Sequence, residues 1–221
     1  MKPSSNPRPR SCGVPAALFV GVLLATAGCA SDKPNSPMPA AREDVKELRQ
    51  ITADSIKAVK VTLRSLDRVS AQVPCPPRVS DSFARDIQRL EVQSFKMRAH
   101  AQAIRARGQA YFDQWHEHLA ALHDPKLRKR AVERHDLLQQ SFDKIRDNAQ
   151  QARAAFQPFM SGLHRLRNAL VNDPSAAASD AKKNLIRTTR ENGQKVAAGL
   201  DAIQNELKTV ADTLKQAKLS Q

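Results

Sequence analysis

Residues 83–111 read FARDIQRLEVQSFKMRAHAQAIRARGQAY. Large side chains recur in this stretch at intervals of seven residues: Phe83, Leu90, Met97, Ile104 and Tyr111. A second set occupies interleaved positions that are also separated by multiples of seven residues: Ile87, Ala101, Trp115 and Leu122. Heptad-spaced apolar residues form a stripe that packs against neighbouring helices as in a coiled coil. The stretch predicts a helix from about residue 82 to 123, capped by Ser80 or Asp81, with Gly108 allowing close approach of another helix.

Three further segments carry apolar residues at the 3–4 spacing of amphipathic helices. The first covers residues 41–72 and is stopped by the prolines of Val73–Pro77, since proline lacks a donor and clashes with the preceding turn. The third begins at Asp124, an N-cap residue that is followed by proline. The same signal at Asp173 predicts the start of the fourth helix. Pro158 lies inside the third helix and is expected to kink or break it.

The composition is typical of a helical bundle rather than of a compact enzyme. The 221 residues include only 7 Gly and 4% aromatics, and Ala, Leu, Gln, Arg and Lys dominate. Low aromatic content limits the apolar area that one compact core can bury, and short connections make consecutive helices antiparallel. The sequence therefore predicts an all-α fold over residues 41–221: an elongated, antiparallel, coiled-coil-like bundle of three to four long helices.

The first forty residues indicate export. Basic residues precede a short apolar run, which ends in Thr-Ala-Gly-Cys at residues 26–29, the order found in cleaved export signals. The run is shorter than the about 20 apolar residues that span a membrane. Residues 26–29 resemble the lipobox of bacterial lipoproteins. The resemblance implies that residues 1–28 form a signal peptide and that Cys29 carries a lipid; plain secretion and an uncleaved anchor are the alternatives.

The residues after the cysteine refine this expectation. Residues 29–40 are rich in Pro and Ser and predict an extended tether. Ala30, rather than Asp, follows Cys29, and lipoprotein sorting then implies the outer membrane, with the body facing the periplasm. Cys12 lies in the predicted signal peptide, so Cys75 is the remaining thiol. It is either buried or capped, or it pairs between molecules.

The sequence carries no constellation typical of catalysis or metal binding. His116 and His123 share a helix face but lie two turns apart, about 10 Å, too far for one zinc ion with ligand distances of about 2 Å. A Gly-rich phosphate loop, a Gly-x-Ser-x-Gly elbow and a Cys-x-x-Cys pair are all missing from the sequence. Acidic residues alternate with cations as solvated pairs, such as Asp86 with Arg89. We therefore expect no enzymatic activity, no cofactor and no metal.

The strongest functional signal is a basic cluster at the start of the third helix: Lys126, Arg128, Lys129, Arg130 and Arg134. Cations there oppose the helix dipole and cost about 0.3–1 kcal/mol each. One interpretation is ion pairing with acids at the end of the second helix: Asp113, Glu117 and Asp124. The other is contact with an anionic envelope surface, namely phospholipid, lipopolysaccharide or cell wall.

The net charge agrees with an anionic partner. The chain has a formal charge of +14, and +11 remains after residues 1–28 are removed, since they contain three cations and no acid. Nucleic acid would suit such a charge. An exported lipoprotein does not meet it, however, so we expect no nucleic acid as a partner.

The only Tyr and the only Trp lie one helical turn apart, at Tyr111 and Trp115. Both residue types are common in crowded core layers. Tyr, Trp and Arg also dominate binding hot spots, so the pair is a candidate contact for a protein partner or for a second copy of the chain.

Three segments carry a family resemblance: RARGQAYFDQW at 105–115, DPKLR at 124–128 and AFQPFMSGL at 155–163. They resemble an uncharacterised family of bacterial envelope lipoproteins, the one catalogued as domain of unknown function 2959. The resemblance covers most of residues 41–215. It implies an all-helical Gram-negative lipoprotein, and it implies no activity, because the family supplies no catalytic residues to carry over.

These observations favour a lipid-anchored periplasmic protein that binds or scaffolds at the cell envelope without catalysis. One alternative is a helical sensor or adaptor that pairs with an envelope protein. The least favoured alternative is an enzyme acting on the cell wall, because the sequence lacks a catalytic constellation.

Overall fold

The computed structural model describes residues 37–219, except the side chains of residues 37–40, 109–111, 114, 116, 118, 178 and 217–219. Four long helices make up nearly all of it: α1 (Pro37–Ala71), α2 (Pro77–Ala121), α3 (Pro125–Asn172) and α4 (Asp180–Leu219). A short 3-10 helix, Ala176–Ala178, precedes α4. Residues 37–219 contain no strand, so the all-α prediction is confirmed.

The helices run alternately up and down. Asp44 of α1 pairs with Arg107 of α2, and Ser65 of α1 bonds to Asp86 of α2, so the two helices are antiparallel. Glu91 of α2 pairs with His164 of α3. The fourth helix closes the bundle by packing against both α3 and α1. One end of the bundle, the turn end, therefore contains the start of α1 and the α2–α3 turn (residues 122–124). The other, the loop end, contains residues 72–76 and 173–179.

The core is one cluster of apolar side chains between the four helices. The largest fully buried side chains come from every helix and include Leu66, Phe83, Ile87, Phe159, Leu163 and Leu207. Most of the seam predicted for α2 faces this cluster, since Leu90 and Ile104 are also buried. Ala101, which we placed on the seam, is exposed instead.

The helix boundaries confirm some predictions and correct others. Asp124 caps α3, as predicted: its carboxylate accepts the backbone N–H groups of Lys126 (2.8 Å) and Leu127 (3.3 Å). The predicted cap of α2 at Ser80 or Asp81 is wrong. The helix begins at Pro77, because proline fits the first helical position, where no N–H partner is needed.

The prediction that Asp173 opens the fourth helix is also wrong. Asp173 is the C-cap of α3, and its carboxylate accepts the backbone N–H of Ser175 in the following turn. The chain then passes through the 3-10 helix before α4 begins at Asp180. An Asx turn and a helix N-cap use the same residue types, so the sequence signal did not separate them.

Two helices are longer or more continuous than predicted. The first helix begins at Pro37, so the last four residues of the predicted tether are helical. Residues 1–28 and the rest of the tether lie outside the described residues. The third helix continues through Pro158, which excludes a break. Pro158 and Ala154 are both exposed, so water can bond the carbonyl group that proline leaves without an N–H partner.

Glycine marks a close helix contact at Gly162 rather than at Gly108. A Cβ at Gly162 would lie 2.0 Å from Thr189 Oγ1 of α4, whereas a Cβ at Gly108 would meet nothing within 4 Å. The prediction that another helix approaches Gly108 is therefore wrong.

We expect Gly162→Ala to lower the free energy of unfolding by about 1–3 kcal/mol, since overpacking forces the helices apart. Gly108→Ala, the matched control, should raise it by about 0.5–1 kcal/mol, because alanine favours the helix and finds open space. Thermal unfolding followed by circular dichroism measures both. Adding Thr189→Ala should recover part of the loss at Gly162, and equal effects at both glycines would contradict the α3–α4 contact.

Candidate functional site

The α2–α3 turn presents the predicted basic cluster on a fixed helix start. Asp124 and Pro125 begin α3, and Arg128 donates its backbone N–H to the Asp124 carbonyl (2.9 Å). The side chains of Lys126, Arg128, Lys129 and Arg130 follow within two turns, and all four are exposed. Leu127, between them, is 47% exposed. Arg134 is half-buried and therefore differs from the other members of the cluster.

For Lys126, Arg128, Lys129 and Arg130, the predicted ion pairs with the end of α2 do not form among the described side chains. None of Lys126, Arg128, Lys129 and Arg130 lies within 4.0 Å of a described carboxylate. The Asp124 carboxylate bonds to backbone N–H groups as the cap of α3. The four cations, which we call the turn cations, are thus held at an unfavourable end of the helix dipole without an ion pair among the described residues.

The position of the turn cations along the bundle follows from contacts between α1 and its neighbours. Asp44 pairs with Arg107 at 2.7 Å, and Arg42 Nη2 donates to the Leu214 carbonyl at 2.5 Å. About 20 Å of helix separates Arg107 from the end of α2, and about 10 Å separates Asp44 from the start of α1. The α2–α3 turn therefore projects about 10 Å beyond the point where the chain enters α1.

Trp115 packs inside the turn end. Its ring is 9% exposed and makes an edge contact with the His135 ring at 5.9 Å. Phe112 makes edge contacts with His135 (5.5 Å) and Phe142 (5.3 Å). This burial favours core packing over a partner contact for Trp115. The side chain of Tyr111 lies outside the described residues.

Asp86 is a polar core residue, so the prediction that it is solvated is wrong. It is 5% exposed, and its carboxylate accepts a hydrogen bond from Ser65 Oγ of α1. Arg89 Nη1 lies 3.2 Å from Oδ1 and Arg68 Nη2 lies 3.9 Å from Oδ2. The signal was its spacing: Asp86 lies three residues after Phe83, on the apolar face. Because a buried carboxylate needs partners, the cluster fixes the register of α1 on α2.

Cys75 is buried at the loop end. It is 4% exposed, and its backbone N–H donates to the Pro174 carbonyl at 2.9 Å. Burial raises the pKa of the Cys75 thiol. A buried, protonated thiol reacts slowly, so the structure favours the buried interpretation over pairing between molecules.

The described part of the chain offers no metal site. No group of three or more His, Cys, Asp or Glu side chains within it is arranged to hold an ion. The side chain of His116 lies outside the described residues, and His123 is exposed, with Nδ1 2.7 Å from the Ala121 carbonyl. Within the same residues, no helix is long and apolar enough to cross a membrane.

Comparison with protein-family models, with curated proteins and with solved structures gives no match. The resemblance to the envelope lipoprotein family therefore stays a hypothesis.

Proposed function

We propose that the chain is a lipid-anchored protein of the outer membrane that faces the periplasm and binds or scaffolds there, with the turn cations as its contact to an anionic surface. The observation that carries the proposal is the exposure of Lys126, Arg128, Lys129 and Arg130 without ion pairs among the described residues. Each cation near an anionic surface contributes about 1 kcal/mol of attraction. Four such contacts offset the cost of placing cations at a helix start.

The geometry of the turn end supports this assignment. The chain enters α1 at the end of the bundle from which the turn cations project. The residues between Cys29 and Pro37 span at most about 28 Å when fully extended. A membrane that holds a lipid on Cys29 is therefore within reach of the turn cations.

We expect the quadruple change of Lys126, Arg128, Lys129 and Arg130 to Gln to weaken binding to anionic vesicles by up to about a thousandfold. Helix content should stay the same or rise, because the change removes repulsion with the helix dipole. Co-sedimentation of the helical body (residues 36–221) with anionic vesicles and with purified cell wall measures the binding. Attraction by the parent protein should fall with salt, since the Debye length shrinks from about 10 Å at 0.1 M to about 3 Å at 1 M.

A matched variant changes four exposed cations near the loop end to Gln: Arg64, Arg78, Arg85 and Arg165. It has the same net charge as the quadruple variant, so it should bind almost as well as the parent if the turn is the contact. Equal losses of binding in the two variants would show that net charge, and not the position of the turn cations, determines binding. Unchanged binding in the turn variant would contradict the proposal.

A further inference from the structure

The outer face of α2 between residues 92 and 106 carries an uncharged and mostly apolar row, where a surface helix normally carries charge. Phe95 is 70% exposed and Val92 is 51% exposed. Ala99 and Ala106 are also exposed, and Gln102 completes the row without a charge. At 3.6 residues per turn, these five side chains fall within about 80° of the helix circumference. We call this row the α2 stripe.

The α2 stripe faces away from the rest of the bundle. The first helix lies on another side of α2, where Gln93 Nε2 contacts Ser55 Oγ at 3.3 Å and His100 pairs with Glu47. The third helix lies on the side of Glu91, which pairs with His164. The buried residues Leu90 and Ile104 project about 150–170° from the centre of the stripe. No described helix therefore covers it.

The spacing of the stripe suits one further helix. Val92, Phe95, Ala99, Gln102 and Ala106 alternate intervals of three and four residues, the period of a coiled-coil seam. The row is about 21 Å long. Its two alanines allow close approach of a partner backbone, and Phe95 supplies an anchor of the size found in interface hot spots.

The charges beside the stripe specify the partner. Lys96 lies on one side, and Glu91, Arg98 and Arg105 lie on the other. Glu91 pairs with His164 of α3, whereas the three cations are exposed and without an ion pair among the described residues. The Arg98 guanidinium lies 4.8 Å from the centroid of the Phe95 ring. These positions correspond to the flanks of a coiled-coil seam, where opposite charges select the partner.

We infer that the α2 stripe docks one amphipathic helix of a partner protein whose apolar seam is flanked by Glu or Asp. A second copy of the chain fits less well, because its own cations would meet Lys96, Arg98 and Arg105 across the seam. A membrane also fits less well, because the alanines add little apolar area for insertion. This site is separate from the turn cations and does not depend on the proposed envelope contact.

Two synthetic 21-residue helical peptides test the inference. Both carry Leu along the seam, and they differ only at the flanking positions, which are Glu in one and Lys in the other. The full chain in a neutral detergent is titrated with each labelled peptide, and binding to protein-free detergent is subtracted; vesicle binding of the same chain is measured separately. We expect the Glu peptide to bind at least tenfold more tightly than the Lys peptide.

Variants localise the binding. Val92→Gln with Phe95→Gln should weaken Glu-peptide binding at least tenfold, whereas Val171→Gln, at a valine that is 75% exposed on α3, should leave it unchanged. Lys96, Arg98 and Arg105 changed to Gln should remove the preference for Glu, and Arg64, Arg153 and Arg165 changed to Gln should keep it. All of these sites are exposed, so circular dichroism should show an intact fold.

Three results would overturn the inference. Equal affinity for the two peptides would show that the flanking charges select nothing. Self-association of the chain that Phe95→Gln abolishes would assign the stripe to a second copy. Vesicle binding that depends on Phe95 and not on the turn cations would assign it to a lipid surface.

Discussion

Replacing Phe159 by Ala is expected to lower the free energy of unfolding by about 3–5 kcal/mol. The Phe159 ring is fully buried where α3, α4 and α1 meet. A Cβ built on Gly193 of α4 would lie 2.7 Å from Phe159 Cε2 and equally close to Leu63 Cδ2 of α1. Glycine cannot extend into the space that the ring would leave. The cavity would therefore persist, and a persistent cavity sets the high end of such losses.

Phe95→Ala is the matched control, since it removes the same ring from a site that is 70% exposed. Its effect on the free energy of unfolding should stay within about 0.5 kcal/mol. Urea unfolding of both variants measures the difference. A small loss at Phe159, close to that at Phe95, would mean that the three helices do not meet at this ring.

Periodicity in the sequence was enough to find the four helices, because burial on one face leaves a direct trace in residue spacing. Phe83, Ile87 and Leu90 were predicted to be buried and are. The starts of the helices were predicted less accurately than their existence. Asp124 and Asp173 are each followed by proline, yet one caps a helix and the other forms a turn. Which outcome occurs depends on where the next helix must pack, and that information is not local.

Residue type alone gave a wrong prediction at Asp86 and no prediction at Phe95 and Val92. Asp86 is charged, so it was assigned to a solvated face, although its position falls on the apolar side of α2. Phe95 and Val92 are apolar, so they attracted no attention outside the predicted seam, although the structure exposes them. In both cases the position of the residue around the helix indicates its burial correctly, whereas its charge or apolar character does not.

The residues of the candidate site could be predicted from the sequence, but their pairing and position could not. The turn cations and the cap at Asp124 are contiguous, so they could be named together. Whether they form ion pairs depends on where Asp113 and Glu117 of α2 point. The distance by which they project beyond the start of α1 depends on the pairing of Asp44 with Arg107. Both are properties of the packed helices.

Changing Cys29 to Ser is expected to release nearly all of the protein from the membrane fraction of intact cells. The expectation rests on the lipobox-like sequence at residues 26–29, because the Ser hydroxyl would not accept the lipid in place of the thiol. Cys12→Ser is the matched control: it makes the same change inside the predicted signal peptide and should leave the protein with the membranes. Fractionation followed by immunoblotting measures both.

The turn cations make this test more demanding. The turn cations supply an attraction to anionic lipid that does not depend on a lipid at Cys29. Some Cys29→Ser protein should therefore stay with membranes at low salt and leave at 1 M salt, when the Debye length falls to about 3 Å. Adding the quadruple Gln change to Cys29→Ser should remove even this fraction. A Cys29 variant that matures to the normal size and still associates with membranes despite salt and the loss of the turn cations would contradict lipid anchoring, since another part of the mature chain would then hold the protein to the membrane.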